Sequence, residues 1–408
     1  MNSRTLGAFL TVVISLIISP YLTAFDGFKM GDRCFLIDQK TAILFSKGNS
    51  EVLCLTWEKE FSSIALYKYD LAFPLYIRDF RIVRLPDGGI FLAWVEEFDF
   101  RKETTRISSI SWDRAHKPKY TVIKKDENIA CSSPLRVLYL GEGKYRFFCG
   151  DSSEMHIIQL MHLENFDKIK TFLYKEGKIF DERVLNKKGR FSIENYDVRR
   201  TGDNAFQVVW SQEYWSNRKH DIYLTSYALD CSTIGRPKKL YSFDDVDEIS
   251  KGENPPSISS FMALEFIKDG IFIGRDIWHI PDPSGGDKDK AINFIYEVNL
   301  FGLEGTRKLN YRIDHASRGM ASFYGYNEKE GMAYFVGEPT TPNKEPYCLT
   351  FNAISDIKYI SKKVSASNSK GKTRNILLVH SEPDGFFYWL EVDESGNIQL
   401  RSQPVQEK

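Results

Sequence analysis

Seven acidic residues recur at one kind of place in this chain. Glu58, Glu96, Asp151, Glu213, Asp276, Glu338 and Glu391 each follow an apolar, aromatic-rich run. Two carboxylates at working distance can share the acid and base work of glycoside cleavage. A strand end that needs only solvation carries acids too, and the sequence favours that plainer reading. Other reactive groups are sparse. The seven histidines are scattered, His156 and His162 being the nearest pair, and none has the spacing of a metal-ligand set. A serine-nucleophile motif and a phosphate-cradling glycine loop are both missing from the sequence. The expectation is therefore no metal and no cofactor.

Two aromatic clusters are candidates for contact rather than catalysis. Glu213-Tyr214-Trp215-Ser216-Asn217-Arg218 places Tyr214, Trp215 and Arg218 in one loop, the residue types that anchor interfaces. Trp278 and His279 precede the run 282–289, whose oxygen-bearing side chains could face a cation but lack the spacing of a calcium loop. With Arg81, these make a candidate ligand-binding set of Arg81, Tyr214, Trp215, Arg218, Trp278 and His279. The acidic stretch 244–248 and the basic stretch 362–374 read as solvated linkers.

The elements that must hold these groups are hairpins. In 84–94, Arg84-Leu85-Pro86-Asp87-Gly88-Gly89-Ile90-Phe91-Leu92-Ala93-Trp94, an arm reaches a Gly-Gly turn and an apolar arm ends on Trp94. The same pattern recurs through Lys47-Gly48-Asn49, Gly141-Glu142-Gly143, Thr201-Gly202-Asp203-Asn204, Lys268-Asp269-Gly270, Asn327 to Gly331, and Pro383-Asp384-Gly385. That is about seven copies at spacings of roughly 40 to 65 residues. Each copy is followed by one or two further alternating stretches. A four-stranded sheet cannot bury both faces alone, and stacking against neighbouring sheets does so. The predicted fold class is all-β: a β-propeller of about seven blades, within a range of six to eight. Phe25 to Thr41, strand-like around Cys34-Phe35-Leu36-Ile37, is expected to complete the last blade from the N-terminal side. Short hairpin turns should leave one face tidy, and the long loops should crowd the other, where function is expected. Trp94 is expected to be core.

Bulk properties set the compartment and exclude some partners. Lysine plus arginine and aspartate plus glutamate number 55 each, so no basic surface favours nucleic acid. Aromatics at 14% suit strands. Arg4, the uncharged run Leu6 to Ile18 and Leu22-Thr23-Ala24 read as a signal peptide over 1–24, leaving 25–408 as one propeller domain with no membrane span. Cys34, Cys54, Cys131, Cys149, Cys231 and Cys348 permit three disulfides in an oxidising compartment, with Cys131–Cys149 favoured because both flank one hairpin. The product is expected to be secreted, or else held in a lumenal or periplasmic compartment.

The stretch Phe80 to Glu96 resembles the first blade of sialidases and their BNR-repeat relatives. Phe80-Arg81-Ile82 precedes Leu85-Pro86-Asp87-Gly88 and an apolar strand ending in Glu96. The resemblance implies that Arg81 binds a sialic-acid carboxylate. Val83 stands where that family has proline, and the family's Asp boxes are missing. The first expectation is therefore a secreted, non-catalytic propeller that binds a protein or glycan. A sialidase-like glycoside hydrolase and a structural component of an extracellular or surface assembly are the alternatives.

Overall fold

The computed structural model describes residues 32–57, 60–70, 72–98, 105–112, 118–123, 132–151, 168–176, 178–185, 192–214, 219–243, 258–267, 270–279, 293–315, 321–327, 332–337, 347–352, 360–363, 375–381, 386–392 and 397–404. Among them every regular element is a strand. Sheet one is β1 (Arg33–Asp38), β2 (Thr41–Ser46), β3 (Glu51–Trp57) and β4 (Phe61–Lys68). Sheet two is β5 (Tyr76–Arg84), β6 (Ile90–Glu97), β7 (Thr105–Trp112) and β8 (Pro118–Ile123). Sheet three is β9 (Ser132–Gly141), β10 (Lys144–Asp151), β11 (Lys168–Lys175) and β12 (Lys178–Val184). Sheet four is β13 (Ser192–Arg200), β14 (Ala205–Tyr214), β15 (Lys219–Ala228) and β16 (Thr233–Phe243). Sheet five is β17 (Ile258–Ile267), β18 (Gly270–His279), β19 (Asn293–Gly302) and β20 (Arg307–His315). Sheet six runs from β21 (Ala321–Asn327) through β22 (Met332–Gly337) and β23 (Tyr347–Asn352) to β24 (Ile360–Lys363). Sheet seven holds β25 (Asn375–Ser381), β26 (Phe386–Val392) and β27 (Ile398–Pro404).

Each sheet is an antiparallel meander in chain order, the arrangement of a propeller blade. The chain divides into two compact units, one of 1–74, 118–120 and 367–408 and one of 75–117 and 121–366. In the second unit the first strands of successive sheets pack side by side: β5 on β9, β9 on β13, β13 on β17 and β17 on β21. In the first unit β1 packs on β25. The all-β propeller expectation is thus met.

The second strands of sheets two to five are buried on both faces, which is why they read as continuous apolar runs. In β6, Phe91, Ala93 and Val95 form one cluster with Tyr145, Phe147 and Cys149 of β10. Phe206, Val208 and Trp210 of β14 pack with Phe148 of β10, and Val209 packs with Ile271 and Ile273 of β18. The turn at 85–89 has the chemistry its residues dictate. Gly88 takes φ +85°, Asp87 Oδ1 accepts the Gly89 N–H at 2.9 Å, and Leu85 N–H donates to Gly89 O at 2.8 Å. Trp94 is fully buried, stacked against Phe80 with its indole N–H donating to Glu96 at 2.9 Å, a core role as expected.

One expectation about the ends is corrected. Cys34 to Ile37 does not complete the last blade; it forms β1, paired with β2 in its own sheet, Leu36 opposite Ala42 and Cys34 opposite Leu44. The short Gln39-Lys40 turn makes that local hairpin the cheaper pairing. Sheet seven is joined by packing instead: Leu390 and Ile398 enter the cluster of Cys34, Leu36, Ala42, Leu44, Leu53 and Leu55. The first repeat copy is accordingly β2–β3, one strand later than in the other sheets.

The six cysteines do not make three disulfides. Cys34, Cys54 and Cys231 are free thiols, and Cys149 is disulfide-bonded. Cys34 and Cys54 sit two strands apart, with β2 between, and point to opposite faces of sheet one, so no bridge can span them. Burial pushes the Cys54 thiol up to about 12 and the Cys34 thiol further, which keeps both inert. Cys131 and Cys348 lie outside the described side chains.

Between sheets four and five a buried ion pair is clamped by aromatics. Arg275 and Glu297, both fully buried, face each other across β18 and β19, with Arg275 Nε donating to Glu297 at 2.8 Å. Asn310 donates to the second carboxylate oxygen at 2.7 Å. The Arg275 guanidinium lies over Phe243 at 4.0 Å, and Arg307 lies over Tyr241 at 4.9 Å. Replacing Glu297 by Ala leaves a buried cation uncompensated. The Glu297→Ala chain should lose about 3–5 kcal/mol of stability in urea unfolding; a loss under about 1 kcal/mol would contradict this role for the pair.

Candidate functional site

Four first strands of the second unit each carry one charged residue between apolar neighbours. These are Arg81 in Phe80-Arg81-Ile82, Arg136 in Leu135-Arg136-Val137, Asp197 in Tyr196-Asp197-Val198, and Glu265 in Leu264-Glu265-Phe266. Arg136, Asp197 and Glu265 each stand five residues before the turn glycines Gly141, Gly202 and Gly270. Because β5, β9, β13 and β17 lie side by side, these positions bring the four charges into one cluster.

The cluster is held by specific bonds. Leu135 O accepts Arg81 Nε at 2.8 Å and Arg136 Nη1 at 3.0 Å. Arg136 Nε donates to Asp197 Oδ1 at 2.7 Å, and its guanidinium lies 5.8 Å from the Tyr196 ring. Asp197 Oδ2 accepts the Phe266 N–H at 2.7 Å. Tyr196 is fully buried, and its hydroxyl donates to Pro134 O at 2.5 Å. Among the described residues the Glu265 carboxyl has no hydrogen-bond partner.

Asp79 completes the group. It stands in β5 at an irregularity in the pairing with β6 between Arg78 and Arg81, and takes φ +46°. That left-handed conformation is rare for a residue with a side chain, and it costs energy that the surrounding fold must supply. Its Oδ2 is buried without a hydrogen-bond partner. A buried acceptor left unmet is a cost of the same kind. Strain and an unmet acceptor at one residue make Asp79 a candidate site residue.

The charges act on one another. Burial, then the Asp197 charge, raises the Glu265 carboxyl above the ordinary range, against the pull of Arg81 and Arg136. Glu265 therefore keeps its proton to higher pH than a solvated glutamate. Burial and the Arg136 charge loosen the Arg81 proton, opposed by Asp79, Glu265 and Asp197. Burial is the largest influence and disfavours the Arg136 charge, but Asp197, Glu265, Tyr196 and Asp79 together outweigh it and that proton is held more tightly. The set holds a carboxyl of raised proton affinity, a second carboxylate with one oxygen outside any hydrogen bond, and an arginine bonded through Nε.

Of the expected site residues, only Arg81 falls in this cluster. Tyr214 ends β14, and Trp278 and His279 end β18, but their side chains lie outside the described residues; so do Trp215 and Arg218. The long loops expected to carry function fall largely outside the description too. Of the seven recurrent acids, Glu96 has a described side chain, and it is a core residue bonded to Trp94 and to Arg106 at 2.5 Å. Asp79, Arg136, Asp197 and Glu265 were missed, because acids were sought after the second strand. The available signal was a charge set between two apolar residues in the first arm of four consecutive hairpins. No group of His, Cys, Asp and Glu among the described residues could hold a metal ion, and no helix there is long and apolar enough to cross a membrane.

No family model and no curated protein matches the chain. Solved structures do, at low identity. The GH93 α-L-arabinofuranosidase of Fusarium graminearum, solved with arabinobiose, is 11% identical, over 80% of this chain and 92% of that one, with a TM-score of 0.43. The α-L-arabinanase of Penicillium chrysogenum is 10% identical over 81% and 93%, with a TM-score of 0.40. Sqt1 of Saccharomyces cerevisiae is 10% identical over 94% and 98%, with a TM-score of 0.41. The sialidase resemblance accordingly narrows to a shared propeller fold. The expectation of a non-catalytic binding propeller is corrected: arabinan-active glycoside hydrolases stand among the similar structures.

If Asp79 is kept for chemistry rather than stability, replacing it should not harm the fold. Asp79→Asn, which tolerates the left-handed backbone and removes an unmet charge, should be as stable as the parent or more stable by about 1 kcal/mol in urea unfolding. A clear loss of stability would make Asp79 a structural residue.

Proposed function

We propose that the chain is a glycoside hydrolase whose reacting groups are Glu265 and Asp79. The observation that carries this is the Asp79 carboxylate, on left-handed backbone with its Oδ2 buried outside any hydrogen bond, in one charge cluster with a glutamate whose proton affinity burial raises. Glycoside cleavage needs one carboxylic acid to protonate the leaving oxygen and a second carboxylate to act as base or nucleophile. Glu265 suits the first task and Asp79 the second. Arg81, anchored through Nε on Leu135 O, presents its two remaining nitrogens to substrate oxygens. The likeness of Phe80 to Glu96 to a sialidase blade supports the same class of bond. The N-terminal run Leu6 to Ile18 supports export, which suits an enzyme acting on glycans outside the cell.

Incubation of the purified chain with a panel of aryl glycosides, arabinofuranosides and sialosides included, tests the reading. At least one glycoside should be cleaved, and Asp79→Asn should lower kcat by about 100-fold or more. Activity should be present below the raised Glu265 pKa and fall as pH rises through it. No cleavage anywhere in the panel, or full activity in Asp79→Asn, would overturn it.

A further inference from the structure

Asp197 does two things at once. Through Oδ1 it holds Arg136 of β9 at 2.7 Å, and through Oδ2 it holds the main chain of β17 by the Phe266 N–H at 2.7 Å. Phe266 follows Glu265 directly, so the second bond fixes the backbone that carries the Glu265 carboxyl. The aromatic cap is continuous with it, since Arg199 of β13 lies over the Phe266 ring at 4.6 Å. The groups facing Glu265 are Arg81 from β5, Arg136 from β9 and Asp197 from β13. On β18 its cross-strand partner is the apolar Phe272; the β21 side chains lie outside the described residues.

We propose that Asp197 is a positioning residue of this site, one that places Glu265 through the Phe266 N–H and sets its proton affinity through the charge it shares with Arg136. This rests on the reading of Glu265 as the proton donor. A carboxylate close to a second carboxyl disfavours ionisation there, and a guanidinium favours it. The Asp197–Arg136 pair therefore presents two opposed influences on one acid. Removing either member should move Glu265 in opposite directions. A plain structural staple has no such signature, because losing either half would only loosen the same contact.

The test titrates Glu265 directly, in the full chain with ¹³C-labelled glutamate carboxyls, its signal assigned by its loss in Glu265→Gln. Asp197→Asn should shift the titration to lower pH, and Arg136→Gln should shift it to higher pH. The alkaline limb of glycoside hydrolysis should move the same way in each variant, with kcat of Asp197→Asn falling about tenfold or more as Glu265 loses its placement. Asp197→Glu, which keeps the charge, should restore the titration more than the kcat. If Asp197→Asn does not fold, Asp197→Ser, which also removes the charge, takes its place. A titration unmoved by these variants, or moved in one direction by both Asp197→Asn and Arg136→Gln, would overturn the proposal. Opposite shifts in a chain that cleaves no glycoside would leave the Asp197 coupling standing and overturn the hydrolase reading alone.

Discussion

A charge on a strand that is packed on both sides must find its partner inside the fold, and the four charged first strands of the second unit meet that constraint together. Arg136 is nearly buried, and Asp197 is the carboxylate that makes its burial tolerable. Asp197 in turn needs a second donor, and it finds one in the backbone of the next first strand. Arg81 to Leu135 O, Arg136 to Asp197 and Asp197 to the Phe266 N–H each join one sheet to the next. Each requires that neighbouring sheets stand in register. The polar row thus acts as a specification on how the blades stack, beyond what apolar packing between second strands supplies.

The backbone prepares those positions. The pairing of first with second strands shifts register between Arg78 and Arg81, between Ile193 and Asn195, and between Phe261 and Ala263. Each irregularity lies just upstream of a clustered charge. A bulge re-aims the following side chains and bends the strand. Asp79 sits within one of them and bears its cost as left-handed backbone. Strain of that kind persists only where the surroundings over-determine it, and here the rigid hairpin of β5 and β6, closed by the Asp87-Gly88-Gly89 turn, does so.

Much of the fold was legible in the sequence, because its signals are local. Turn residues such as Asp87-Gly88 fix backbone geometry directly, and the two-sided burial of second strands leaves continuous apolar runs. The strand that begins the first sheet was misplaced for a reason also visible in the residues. Cys34-Phe35-Leu36-Ile37 is as apolar as any central strand, and periodicity cannot say which neighbour it will join. Disulfide count failed similarly: an even number of cysteines says nothing about which face of a sheet each thiol occupies. The site was the least legible part. Only Arg81 was singled out, through a family resemblance. Arg136, Asp197 and Glu265 looked like ordinary strand polarity one at a time, and their meaning emerges only when β5, β9, β13 and β17 are placed side by side.

The central claim is that Glu265 donates a proton to a departing oxygen, and leaving-group dependence tests it most directly. A donor matters most when the departing alcohol is a poor leaving group and least when it is already acidic. Hydrolysis by Glu265→Gln should therefore remain near the parent rate for dinitrophenyl glycosides and collapse for glycosides of simple alcohols. Equal losses on both substrates, or no loss on either, would contradict the account.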